Sequence, residues 1–177
     1  MKRCKILGLL LAAFVGLMGF NELTFAATRG GEGFVPPAWS QKLPASKRFQ
    51  LVLGETAVLD KETGLVWEKS PDTTTRTWTE AITYAYGKTV GGRKGWRLPT
   101  VEELASLVDP TQSNPALPNG HPFTNVMSFY WSSTTLVGDT SGAWGVYFGE
   151  GAVDAHDKSD LYWYVWCVRG GHGHDAP

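Results

Sequence analysis

Apolar residues recur at two different periods along this chain, and the change of period divides it. Trp78, Ala81, Ile82 and Ala85 stand at i, i+3, i+4 and i+7, and so do Val101, Leu104, Ala105 and Val108. That spacing makes one apolar helix face. Each run opens on a capping box, Thr77 with Glu80 and Thr100 with Glu103, in which side chains satisfy the first free N–H groups of the helix. The first helix is expected to end near Gly87. Trp96 and Leu98 alternate with Arg97 ahead of the second helix, predicting a short strand that Pro99 stops, having no N–H to donate.

Elsewhere the period is two. Phe49–Leu53 and Thr56–Leu59 read as strands, and Leu65–Glu68 returns after the turn Asp60-Lys61-Glu62-Thr63-Gly64 as the second arm of a hairpin. Ser70–Arg76 is a polar loop, and Asp109–Phe123, with four prolines, a long irregular one. Then come Phe129–Thr134, Ala143–Phe148 and, past Gly149-Glu150-Gly151, Ala152–Asp154. The last run, Tyr162–Arg169, is aromatic on both faces and is expected at the centre of a sheet. Helices early and strands late predict an α+β fold rather than alternating βαβ units.

The first residues stand outside this pattern. Lys2, Arg3 and Lys5 precede an apolar run of 15 residues, Ile6–Phe20, and Thr24-Phe25-Ala26 puts small residues where a signal peptidase reads them. The expectation is a signal peptide spanning residues 1–26, since the run is shorter than the roughly 18–20 residues a membrane span needs. The chain is then exported, to the periplasm or the cell surface. Residues 27–47, rich in Gly and Pro, read as a linker or loosely docked arm, with the domain proper at 48–171 and a loose tail at 172–177.

Removing the leader leaves 151 residues with 13 basic and 16 acidic side chains, net −3. Such a balance argues against nucleic-acid binding or attraction to anionic membranes. Lys88, Arg93 and Lys94 read as solvated loop charge, with an anion-binding patch as the alternative. Of two cysteines only Cys167 remains, so no internal disulfide is possible and the core must carry the stability. Core material is plentiful: all eight Trp lie between Trp39 and Trp166.

Six blocks occur in the order of a known family: Thr63-Gly64-Leu65-Val66-Trp67-Glu68, Trp78-Thr79-Glu80-Ala81, Gly95-Trp96-Arg97-Leu98-Pro99-Thr100 with Glu103-Leu104, Tyr130-Trp131-Ser132-Ser133-Thr134, Ala143-Trp144, and Cys167-Val168-Arg169-Gly170. From about Arg48 to Gly171 the chain resembles the Lcl C-terminal domain family, named after a collagen-like bacterial adhesin. The resemblance implies a C-type lectin-like fold: two helices flanking small antiparallel sheets, with the N- and C-terminal strands paired. It also implies an exported or surface-displayed domain, since related members act in adhesion and glycan binding. The family often pairs a helix cysteine with the one in Cys-Val-Arg-Gly. Ala85 stands at that helix position here, so the bridge and its typical ~2–4 kcal/mol are absent. Cys167 is expected as a buried thiol, with an intermolecular bridge or a reactive thiol as alternatives.

In such folds the ligand face lies on the long loops between late strands, which places it at Leu136–Gly142 and Asp154–Trp163. The candidate ligand-binding residues are Asp139, Trp144, Asp154, His156, Asp157, Asp160, Tyr162 and Trp163. Planar carboxylates pair with sugar hydroxyls, and aromatic rings stack on sugar C–H faces. Tyr162 and Trp163, at a strand end, are the rings expected to be exposed. Asp154, His156, Asp157 and Asp160 concentrate metal-type ligands, but match no EF-hand spacing and lack a Glu-Pro-Asn triplet. Calcium therefore stays open without being predicted, and no cofactor is expected. His172 and His174 with Asp175 read as tail. No His stands in a motif with Ser132, Ser133 or Cys167 that would mark a nucleophile. Formylglycine-generating enzymes share the fold but use two active-site cysteines, against one here. The expectation is a non-catalytic recognition domain for a glycan or surface protein, with an oligomerisation module of a surface assembly as the alternative and a formylglycine-generating-type enzyme as a further, disfavoured one.

Overall fold

A computed structural model describes residues 43–170. The expected signal peptide, most of the linker and the tail lie outside the described residues. The elements run α1 (Ala45–Arg48), β1 (Phe49–Val52), β2 (Ala57–Asp60), β3 (Leu65–Glu68), α2 (Trp78–Gly87), α3 (Val101–Ala105), β4 (Phe129–Thr135), β5 (Gly142–Tyr147), β6 (Ala152–Asp157) and β7 (Val168–Gly170). They form a small α+β protein with two antiparallel sheets, ordered β1-β2-β3-β7 and β4-β5-β6. No helix of the described residues is long and apolar enough to cross a membrane.

The β2–β3 hairpin forms where turn chemistry predicts it. Gly64 takes φ 71°, and its N–H donates to the Asp60 carbonyl at 2.8 Å. The last residues expected as linker are in fact docked: Ala45 is buried in the core, one helical turn ahead of β1. The sheet contains both ends of the domain, yet β7 pairs with β3 and not with β1, which holds the outer edge beside β2.

Helix α2 is the periodic segment expected, with Ala81 and Ala85 fully buried and Trp78 and Ile82 packed at the margin of the core. Glu80 accepts from the Thr77 N–H at 3.0 Å and from its hydroxyl at 2.8 Å. Helix α3 is shorter than its apolar face. After Ala105 the bonds tighten to i→i+3, Leu107 N–H to Leu104 and Val108 N–H to Ala105, and Pro110 then stops the coil. Leu107 and Val108 remain buried, so the face persists where the helix does not. Its start is well held. Thr100 Oγ1 accepts the Glu103 N–H at 3.2 Å, Glu103 accepts the Thr100 N–H at 2.8 Å, and Arg97 grips the same carboxylate with two bonds of 2.7 Å. Thr100→Ala is expected to cost about 1 kcal/mol in urea unfolding.

Two strand expectations need correction. Trp96–Leu98 makes a single bridge, Arg97 with Val168, rather than a strand. Tyr162–Arg169 contributes only its end to a ladder, and that end, β7, is the last strand of its sheet rather than a central one. Tyr164 N–H donates to Phe129 and its carbonyl accepts from Trp131, while Cys167 accepts from Glu68. The segment thus stitches the two sheets together. Its alternation sorts side chains between two clusters: Trp163, Val165 and Cys167 enter one, and Tyr164, Trp166 and Val168 pack with the other. The period of two is real, but the backbone bonds are divided between two sheets instead of completing one.

Trp166 anchors the first cluster, with ring centroids 4.9 Å from Phe123, 5.2 Å from Tyr130 and 5.4 Å from Phe148. Trp163 lies stacked on Trp131 at 4.8 Å in the second. His121 stacks on Phe123, with its buried Nδ1 lacking a hydrogen bond, and burial holds its pKa below 6.5. The unfolded chain therefore takes up a proton first as the pH falls. Stability from neutral His121 is present above pH 6.5 and is lost as the pH falls through the lower folded value. The urea midpoint of wild type should fall relative to that of His121→Gln as the pH drops below 6.5, with the difference between them constant above it.

Candidate ligand-binding face

The late loops meet at one end of the second sheet because β5 pairs with both neighbours there. Gly142 opposes Asp157, Ala143 opposes His156 and Gly145 opposes Asp154. Lys158 closes the junction. Its N–H donates to Ser141, and its ammonium reaches Thr135 Oγ1 at 3.0 Å and the Thr140 carbonyl at 2.9 Å while lying 4.2 Å from the Trp78 ring centre. The start of α2 joins the same edge, since Trp78 N–H donates to the Lys158 carbonyl.

Asp154, His156 and Asp160 come together. His156 Nε2 is 3.1 Å from Asp154 Oδ2, and Nδ1 is 3.3 Å from Asp160 Oδ2. A neutral imidazole can donate to one of these oxygens, and the protonated ring to both. All three side chains keep substantial solvent contact. Immediately after Asp160 the chain presents Leu161 and Tyr162, the latter 77% exposed, and the neighbouring β4–β5 loop presents Val137.

The other candidates separate. Trp163 is 2% exposed, not a surface ring as its place at a strand end suggests. It lies over Gly145, against Trp131 and 5.0 Å from the His156 ring, as the floor of the face. Trp144 and Asp157 fall on the opposite side of the sheet from Asp154 and His156, since side chains alternate along a strand. Trp144 packs half-buried on the first core cluster. Asp157 and Asp139 each serve their own loop. Asp139 Oδ1 accepts from the Ser141 N–H and hydroxyl, Asp157 Oδ1 from those of Ser159, and these bonds hold both carboxyls below their usual range.

Reading the sequence missed Lys158, Val137, Leu161 and Gly145. Gly145 carried the one available signal, a glycine inside a strand, which marks close approach of another group. Among the described residues no three His, Cys, Asp or Glu side chains group as a metal site would require. Ser132 Oγ is spent on the Trp144 carbonyl at 2.6 Å and Ser133 Oγ on that of Pro99. Cys167 is a free, buried thiol whose ionisation is pushed far up by burial and by the Glu68 charge. Lys88 is not solvated loop charge: it is 2.7 Å from Glu68 and hydrogen-bonded to Tyr84, leaving only Arg93 and Lys94 of that trio exposed.

Residues 56–169 match the model of the Lcl C-terminal domain. No curated protein matches the chain.

Proposed function

The chain belongs to the Lcl C-terminal domain family, and from that premise we propose an exported, non-catalytic recognition domain with a C-type lectin-like arrangement that binds a glycan or surface protein. The observation carrying this reading is the exposed Tyr162 ring following the Asp154–His156–Asp160 clasp. An exposed ring offers a stacking surface, and two carboxylates flanking one imidazole offer acceptors for hydroxyl or amide donors. Trp163 gives the clasp a rigid floor, so little ordering is left for binding to impose. The leader-like first residues support export.

A glycan array probed with the full chain, with a pull-down of surface proteins in parallel, tests the proposal. Tyr162→Ala is expected to weaken the ligand found by about tenfold, or 1.4 kcal/mol. Clean negatives on both screens would sink it. The exposed Val137, Leu161 and Tyr162 also favour a second reading, burial against another copy in a surface assembly. Sedimentation equilibrium of the full chain decides that: a strict monomer removes it.

A further inference from the structure

The first sheet ends on β1, and among the described residues no strand pairs with its outer side. The ladder with β2 decides which backbone groups that edge presents. Lys61 N–H donates to the Arg48 carbonyl at 2.9 Å, and Phe49 opposes Asp60, so Arg48, Gln50 and Val52 turn their polar groups towards β2. Phe49 and Leu51 turn theirs outwards. The Phe49 N–H is taken by the Ala45 carbonyl of α1. The Phe49 carbonyl and both backbone groups of Leu51 bond to no other described residue.

An open edge is a template for another strand, and proteins usually guard one with charge, proline or a bulge. β6, the outer strand of the second sheet, carries Asp154 and Asp157. β1 reads Phe-Gln-Leu-Val, runs beside β2 without a shift of register, and has none of these guards. Gln50 and Leu51 are exposed, Leu51 to 38%.

The ends of the strand narrow the choice of partner. Lys47 precedes Leu51 by as many positions as Glu55 follows it, and both charged residues are exposed. An antiparallel copy of the same segment, related by a two-fold axis at Leu51, brings each Lys47 towards the other's Glu55. It also sets Leu51 opposite Leu51, where each N–H reaches the other's carbonyl and the two side chains shield one another. A parallel copy would set like charges side by side. We propose that β1 is a docking edge for a second copy of this chain, the two strands pairing antiparallel about Leu51 and joining two four-stranded sheets into one. Such a contact uses the same patch on both partners and closes as a dimer. It falls below the roughly 1,200 Å² of stable interfaces, so the dimer is weak and forms as the concentration rises. It shares no residue with the late-loop face and stands whether or not that face binds anything.

The test is sedimentation equilibrium of the full chain from about 10 μM to 1 mM, with hydrogen exchange of the Leu51 amide. A monomer–dimer equilibrium is expected, with the Leu51 amide better protected as the concentration rises. Leu51→Lys sets two ammonium groups across the axis and should weaken the dimer at least about tenfold. Its urea midpoint should stay that of wild type, because the position is exposed. Lys47→Glu should weaken the dimer about threefold, a surface charge pair being worth little, and Lys47→Glu/Glu55→Lys should restore it. Tyr162→Ala should leave it unchanged. The proposal is overturned by a chain that stays monomeric throughout, by a trimer or larger assembly, by a dimer that survives Leu51→Lys, or by a double variant no tighter than Lys47→Glu. A monomer whose Leu51 amide is protected at every concentration also overturns it, since another segment of the same chain then covers the edge. Association lost in Tyr162→Ala but kept in Leu51→Lys belongs to the late-loop face instead.

Discussion

Asp60→Ala is expected to lower the unfolding free energy by about 3–5 kcal/mol, the range for stripping one partner from a buried ion pair. Asp60 and Arg48 are both fully buried, joined by bonds of 2.9 Å from Arg48 Nε and 2.6 Å from Nη2. The same Nη2 donates to the Ser106 carbonyl at 2.9 Å, and Glu62 lies 3.6 Å from Nε. Losing Asp60 leaves a guanidinium inside the protein with much of its compensation gone. The pair as a whole need not be stabilising, because two charges were dehydrated to make it. The double variant Arg48→Met/Asp60→Leu should therefore recover much of the loss, though not the bond to Ser106. Urea unfolding of the two variants checks both statements. A loss well below the roughly 3 kcal/mol expected in Asp60→Ala would show the pair to be hydrated.

This pair also bears on the domain boundary. The family match begins at residue 56, yet Arg48 and Phe49 are buried ahead of it, and β1 pairs with β2 along four residues. Trimming the chain to the matched span would remove Arg48 and strand Asp60 by another route.

Gly145→Ala is expected to cost about 1–3 kcal/mol through overpacking and to disturb the late-loop face at the same time. An ideal Cβ at position 145 would lie 2.0 Å from the Trp163 ring and 2.6 Å from the Tyr130 carbonyl. The carbonyl belongs to the β4–β5 ladder and cannot retreat, so the indole must move. Trp163 is stacked on Trp131, tilted against Phe129 at 5.2 Å and close to His156. Moving it shifts the floor beneath the Asp154–His156–Asp160 clasp. Near-UV circular dichroism should change with the urea midpoint. If the midpoint drops while the near-UV spectrum keeps its wild-type shape, Trp163 is not the group that yields.

Some elements could be read from residue order because their causes are local. Thr77 with Glu80, Thr100 with Glu103, and the turn ending in Gly64 act within a few residues, so capping and turn chemistry located them. The buried charges could not be read in the same way. Arg48, Asp60 and Glu68 look like surface residues until their partners are placed 12 and 20 positions away, at Asp60 and Lys88. Tyr162 and Trp163 are adjacent aromatics, and nothing local shows that one is exposed and the other buried. That outcome depends on Gly145, 18 positions earlier, leaving room for one ring.

The sequence by itself determined the α+β class, the two helix starts, the hairpin and the family, because period, caps and ordered blocks are properties of neighbouring residues. Only the tertiary structure decided which late-loop residues share a face, that Tyr162–Arg169 divides its hydrogen bonds between two sheets, and that Glu68 faces Lys88. Those outcomes come from contacts between segments far apart in the chain, where burial and strand pairing choose among side chains that composition leaves equivalent.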